Sequence, residues 1–391
     1  MTSAQRLAGL MVAQALALSS APLMVFIGGL IGAQLHPDPS FSTLPIAAMI
    51  IGMASAVWPA SRLAGRYGRR PVFVGAMLVG VVSSLLAAFV VYQFSFWGFT
   101  ASAWLFGCVG AVIQQFRFLA MSFVPQDQQA SAASKLLLAG LASAFIGPEL
   151  SSLAEYFPAL GFAAAFVGLS LCMLLAGVVL LFVVPVKTSV NTAIKEAEPR
   201  SWPELFRQPD LILAMSAAAV AYVVMSFVMT ATPLSMTTLS GHDVGDAKWI
   251  IQSHIVAMFL PSLFTGRLVG YFGIHRVMLV GLLLFVCSLC IGAYDESLLH
   301  YLGSLILLGV GWNFLFVTGT ALLAQCYQSG DAAKVQGMND MLVFGTQAIG
   351  SLGSGAILLM FGWQALLLIA ATGLVWLALV MSWNYHLRHN N

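Results

Sequence analysis

Charge is what this 391-residue sequence has least of: Asp, Glu, Lys and Arg together make up 8% of it, where soluble domains carry about 25%. So few polar side chains cannot cover a water-facing surface, which excludes a soluble globular protein; helices that face lipid need no such cover. Cysteine is sparse as well. Cys108, Cys172, Cys287, Cys290 and Cys326 lie in or beside apolar runs, and no spacing among them suggests a disulfide framework or a metal site; Cys287 and Cys290 read as neighbours on one helix rather than a redox pair. No glycine-rich nucleotide-binding loop is present, so ATP is not the expected driving force. No clustered His or Asp motif marks a membrane face for enzymatic chemistry. Long hydrophilic segments are missing too: the outer connections 36–41, 156–160 and 294–300 are short, and 237–247, the longest, cannot fold alone.

What the chain has is apolar length, with 60% hydrophobic residues. A hydrocarbon core of about 30 Å takes roughly 20 helical residues per crossing. Apolar runs at 7–35, 42–62, 71–93, 98–123, 135–155 and 161–185 form a first set of six. Runs at 210–236, 248–269, 276–293, 301–326, 335–360 and 363–386 form a second. The first run is too long for a signal-peptide core and reads as a retained span. Between the sets lies the longest polar stretch, with Lys187, Lys195, Glu196, Glu198, Pro199, Arg200 and Arg207. The expectation is an all-α polytopic membrane protein of twelve spans. A six-helix bundle over 1–186, a linker over 187–208 and a second bundle over 209–391 make up the chain. Cytoplasmic loops carry the excess of Lys and Arg. With the N-terminus inside, fourteen of the sixteen fall on the cytoplasmic side, Lys248 falls outside, and Arg117 lies within a span. Both termini are therefore expected in the cytoplasm.

Four of those cations, Arg62, Arg66, Arg69 and Arg70, sit in the short hinge between the second and third runs. The hinge recurs 205 positions later, with Arg62/Arg267, Leu63/Leu268, Gly65/Gly270 and Gly68/Gly273 in register, which marks an internal duplication. Twelve spans in two sets, a central linker and this repeated basic loop resemble the major facilitator superfamily over the whole chain. The family loop reads G-x-L-A-D-R-x-G-R-R/K; Leu63, Ala64, Arg66, Gly68, Arg69 and Arg70 match, while Ser61 replaces the first glycine and Gly65 the aspartate. The resemblance implies two pseudo-symmetric bundles that rock about a central site, an arrangement a duplicated membrane protein supports on physical grounds. It also implies a cytoplasmic latch, whose usual aspartate is missing here. The segments Phe116-Arg117-Phe118, Gly147-Pro148-Glu149-Leu150 and 311–316 look like a bacterial subgroup of small-solute transporters, with a faint link to riboflavin-type uptake.

Ionisable groups inside spans are costly and are functional candidates by default. Glu149, read as lying well inside the fifth span and beyond its midpoint toward the outer face, is a candidate for proton coupling; the competing reading is a structural, hydrogen-bonded carboxyl. His254, two turns into the eighth span, is a second proton site or a packed histidine. Arg117 is read as a substrate contact or a snorkelling anchor, with Gln115 beside it. Trp312 and Asn313 place an indole and an amide near mid-membrane, where they would meet solute or pack. Gln14 in the first span and Tyr222 in the seventh would line the cavity. Asp340 is read as a replacement for the missing latch charge, pairing with Arg62 or Arg66 in a gate that also holds Arg69. The expected activity is proton-coupled secondary transport of a small polar or zwitterionic organic solute across a bacterial inner membrane. Protons and lipids are the expected partners of a monomer, with no cofactor, metal or nucleic acid. An efflux antiporter is the nearest alternative, from the spacing Ser143-x3-Gly147-Pro148-x2-Ser151-Ser152. A polytopic membrane enzyme or lipid-handling protein is the alternative of another class.

Overall fold

The computed structural model describes residues 2–124, 135–136, 138–185, 200–328 and 331–389, and no strand occurs among them. Twelve spans follow one another. The first is Ser3–Leu18 continued by Ser20–Leu35, the second Leu44–Tyr67, the third Arg69–Tyr92. The fourth, Phe96–Ile113, breaks at Gln114 and Gln115 and resumes as Phe116–Met121. The fifth comprises Ala139–Leu150 and Leu153–Tyr156, and the sixth is Ala163–Val183. The seventh is Pro209–Leu234, and the eighth, Val244–Phe259 with Ser262–Phe272, is bent by 42°. The ninth and tenth are Ile274–Tyr294 and Leu298–Cys326. Ala332–His389 supplies the last two, divided at Gly362, where φ 83° and ψ 175° are not helical. Nine of the described helices pass as spans by length and composition, and the bent pair makes ten. The break at Gly362 and the shorter fifth helix pair complete the twelve. Of the expected linker, 200–208 is described and carries the short helix Trp202–Phe206, capped by Ser201 and Glu204; Lys187, Lys195, Glu196, Glu198 and Pro199 lie outside the described residues.

The duplication is visible in the backbone. Gly68 ends the second span at φ 87°, ψ 160°, and Gly273 ends the eighth at φ 83°, ψ 157°. That region is essentially closed to residues with a Cβ, so both glycines are fixed by the same reversal between successive spans. Within the first bundle, small residues bring helices together: a Cβ on Gly107 would lie 1.8 Å from the Met49 carbonyl oxygen, and one on Gly52 2.1 Å from that of Trp104. Backbones of the second and fourth spans therefore touch, the packing mode that replaces hydrophobic driving force in lipid. Gly107→Val should separate these helices and abolish a monodisperse peak in size-exclusion chromatography, while the same change at Gly75, where nothing lies within 4 Å, should leave it intact. Exposed apolar side chains such as Leu85, Phe89, Leu171, Phe182, Leu283 and Leu379 form the lipid-facing surface.

On the face that bears the termini, the linker is tied to the second bundle. Arg200 donates from its backbone N–H and its Nε to Asp331, both at 2.7 Å, and from a terminal nitrogen to the Cys326 carbonyl. Lys334 in turn donates to the Arg200 carbonyl at 2.6 Å and lies over the Trp202 ring. Burial of Asp331 would raise its carboxyl pKa, but the hydrogen bonds from Arg200 and from the Gln328 backbone outweigh it and hold the pKa below the ordinary carboxylate value. A depressed folded pKa gives stability that is complete above the unfolded pKa of about 3.9 and lost as pH falls through the folded value. The difference in melting temperature between the wild type and Asp331→Asn should be constant from pH 7 to pH 5 and close only below pH 4.

Candidate functional site

The second bundle turns a wall of aromatic rings toward the first. Tyr222 of the seventh span meets three rings edge-on: Trp312 and Phe316 of the tenth, with centroids at 5.3 and 5.1 Å, and Phe344 of the eleventh at 6.4 Å. Trp312 stacks on Phe316 at 5.2 Å and takes the edge of Phe259 from the eighth span. Both arrangements are favourable for ring quadrupoles. Tyr222, Phe316 and Phe344 are half-buried and keep ring surface accessible, while Trp312 lies behind them, 5% exposed. Phe344 also packs on Ile46 and Ile50 of the second span, so the wall stands at the junction of the two bundles.

From the first bundle comes the one guanidinium that the sequence places inside a span. The fourth helix breaks after Ile113, and the turn at Gln114 and half-buried Gln115 starts the short helix that carries Arg117. Arg117 is exposed, and its charge acts on both Tyr222 and Asp340 across the boundary between bundles. Asp340 is half-buried and accepts from the Asn339 amide at 3.4 Å. Arg117 from the first bundle and Tyr222 and Asp340 from the second are thus within electrostatic reach of one another, with Trp312 against Tyr222.

The other candidates stand apart from it. Asn313 is 1% exposed, donates to the Met258 carbonyl at 2.7 Å and Ser262 Oγ at 2.6 Å, and accepts from Thr265 Oγ1 at 2.7 Å. Pro261 has no N–H to continue the eighth helix, and the amide satisfies groups freed at that bend. His254 is fully buried between the eighth and tenth spans; Nδ1–H donates to the Leu305 carbonyl at 2.6 Å and Nε2 has no protein partner. The Gln14 amide donates to the Leu136 carbonyl within the first bundle. Arg62 and Arg66 are exposed over Trp58 and Tyr67 of their own helix, and Arg69 donates to Ser122.

Glu149 lies toward the outer end of the fifth span. Its helix ends one residue later at Leu150, and its side chain is 64% exposed. Lys248, at the start of the eighth span, donates to Glu149 at 3.2 Å and to Ser152 Oγ at 2.9 Å. This pair joins the bundles on the face opposite the termini. Toward the same face, Thr43 of the first bundle donates to the Leu352 carbonyl and accepts from the Gly355 N–H, and a Cβ on Gly355 would meet Ser42 Oγ at 2.6 Å. That end of the space is closed.

Comparison with known proteins gives this geometry a family. The sequence model of the Major Facilitator Superfamily matches residues 9–241 and again 214–390. The chain belongs to the Major Facilitator Superfamily. Its members are transporters and not enzymes, and this one is a multi-pass membrane protein. The superfamily chain is similar to the riboflavin transporter RfnT of Brucella anthropi, with 35% identity over 360 residues, 91% of this chain and 90% of that protein. In structure it is similar to the nucleoside transporter NupG, at a TM-score of 0.72 and 17% identity, covering 97% and 100% of the two chains. A bacterial homologue of the human lysosomal transporter Spinster, solved inward-facing and occupied, gives a TM-score of 0.71 at 10% identity over 97% and 95%. At such identities these two likenesses show the facilitator fold alone.

Three contributors to the site escaped the sequence reading: Phe344, Phe316 as a ring of the wall, and Lys248 as the partner of Glu149. The spacing of Asp340, Phe344, Gln347 and Ser351 at four, three and four residues was the available signal for a polar and aromatic stripe on the eleventh span.

Proposed function

We propose that this facilitator carries riboflavin, or a solute equally planar, heteroaromatic and polyhydroxylated, across a bacterial inner membrane by alternating access. The observation that carries the reading is the wall of Tyr222, Phe316 and Phe344, with Arg117 and Asp340 both within electrostatic reach of Tyr222. A flat ring system stacks on half-buried aromatic faces, and a polyol chain finds both donor and acceptor in a guanidinium and a carboxylate that together carry no net charge. The 35% identity to a riboflavin transporter over nine-tenths of both chains supports the same substrate. The Lys and Arg distribution supports cytoplasmic termini, a first bundle over 1–186 and a second over 209–391.

Proton coupling belongs to the proposal. Protonating Glu149 removes one charge from the Lys248 pair that closes the face opposite the termini and so favours opening there. His254, with a bare Nε2 between two spans of the second bundle, is the second proposed proton site. Arg62, Arg66 and Arg69 remain the proposed gate on the terminus-bearing face, where Asp340 would meet them when that side closes. The spacing around Gly147 that suggested efflux has a packing explanation, since a Cβ there would lie 2.5 Å from the Ser19 carbonyl.

The test is complementation. A riboflavin-auxotrophic bacterium without its own uptake system should grow on micromolar riboflavin when it expresses this chain, and a protonophore should stop accumulation. Absence of growth despite membrane expression would reject the substrate.

A further inference from the structure

The eleventh span carries an unpartnered amide oxygen on the face it turns toward the first bundle. Gly350 lies against Val223 of the seventh span, and Gly355 against Ser42 and Thr43, which immediately precede the second. At about 100° per residue, those glycines mark the two sides of the helix, and Asp340, Phe344, Gln347 and Ser351 fall on the arc between them. That arc faces the space between the bundles. Ser351 lies 3.4 Å from Thr230 Oγ1 toward the closed end, Phe344 joins the aromatic wall, and Asp340 lies in the field of Arg117. Gln347 stands one turn beyond Phe344, between the rings and the closed end, and its Oε1 is buried with no hydrogen-bond partner.

A buried amide oxygen without a partner is destabilising and rare. Turning the amide over would only exchange an orphan acceptor for an orphan donor. What satisfies both ends of a primary amide at once is a group with an N–H beside a C=O in one plane. We propose that Gln347 recognises a cyclic imide edge, C(=O)–NH–C(=O), on a ring stacked against Phe344 and Tyr222: Oε1 accepts from the imide N–H and Nε2 donates to one carbonyl. The inference rests on the flavin-type substrate proposed above, whose dione ring carries such an edge at N3. It makes Gln347 a specificity-determining residue that selects imide-bearing rings from other planar heteroaromatics, because a site built to hydrogen-bond a donor discriminates strongly against an analogue that lacks it.

The experiment is equilibrium binding to the purified full-length chain in lipid nanodiscs, followed by quenching of flavin fluorescence, with riboflavin and N3-methylriboflavin as probes. The wild type should bind riboflavin at least about tenfold tighter than the methylated compound. In Gln347→Leu and in the length-conserving Gln347→Met, that ratio should fall to about one, through weaker binding of riboflavin. Equal binding of the two probes by the wild type, a comparison that needs no variant to fold, would overturn the imide assignment while leaving riboflavin as substrate. A preference that survives in both variants would remove Gln347 from recognition. If the wild type binds neither probe, the flavin reading and the inference built on it both fall.

Discussion

Alanine at Tyr222 is expected to weaken riboflavin binding by about ten- to a hundredfold. Its ring meets Trp312, Phe316 and Phe344 within 6.4 Å, so its removal takes away a stacking surface and the brace that orients its neighbours. Stacking of a heteroaromatic base on a protein ring is worth about 1–3 kcal/mol on alanine substitution, and 1.4 kcal/mol is a factor of ten. Tyr222→Phe keeps the ring and should bind within about threefold of the wild type. Phe344→Ala should lose as much as Tyr222→Ala, whereas Phe89→Ala, on the lipid-facing surface, should be silent. Dissociation constants from flavin quenching, with melting temperatures as a control for folding, check the series. An alanine variant at Tyr222 or Phe344 that folds and binds normally would place the substrate elsewhere.

Reversing Lys248 to Glu should shift the protein toward states open on the face opposite the termini. The pair with Glu149 is exposed, so its own contribution is small, about 0.2–1 kcal/mol; reversal adds repulsion at the same contact, and the populations should change by roughly two- to tenfold. Thr43 is fully buried at this closed end, so a cysteine there, in a chain whose five native cysteines are replaced, reports opening through its rate of alkylation by an impermeant maleimide. The rate should rise in Lys248→Glu and return to the starting value when Glu149→Lys is added. A rate that rises with the single change and stays high in the double variant would show that the two charges do not act on each other.

The two bundles were legible in the sequence because apolar run length and the position of Gly68 relative to Gly273 are backbone requirements that a side chain at those positions would violate. The direction in which a residue faces was harder to read. On helices apolar all round, periodicity does not separate the side toward a cavity from the side toward a neighbour, so Phe344 and Gln347 gave little signal. For Asn313 the sequence left solute contact and packing both open, because it does not show that Pro261, about fifty residues earlier, bends the eighth span where the Asn313 amide then bonds. Glu149 was placed toward the outer side of its span, but its partner Lys248, about a hundred residues later, could not be read from the sequence. Arg117 and Tyr222 were singled out in the sequence for a physical reason, since a guanidinium or a phenol in lipid needs a partner, and their part in the site is what we propose.

The central claim is that the space lined by Tyr222, Phe316, Phe344, Arg117 and Asp340 moves a flavin-type solute through the membrane. Counterflow in proteoliposomes tests it most directly: vesicles holding the purified chain are preloaded with unlabelled riboflavin and diluted into a trace of the labelled compound. The account predicts transient accumulation of label that is absent from empty vesicles and from Tyr222→Ala. Accumulation that is unaffected by Tyr222→Ala, or no accumulation by a folded wild type, would contradict it.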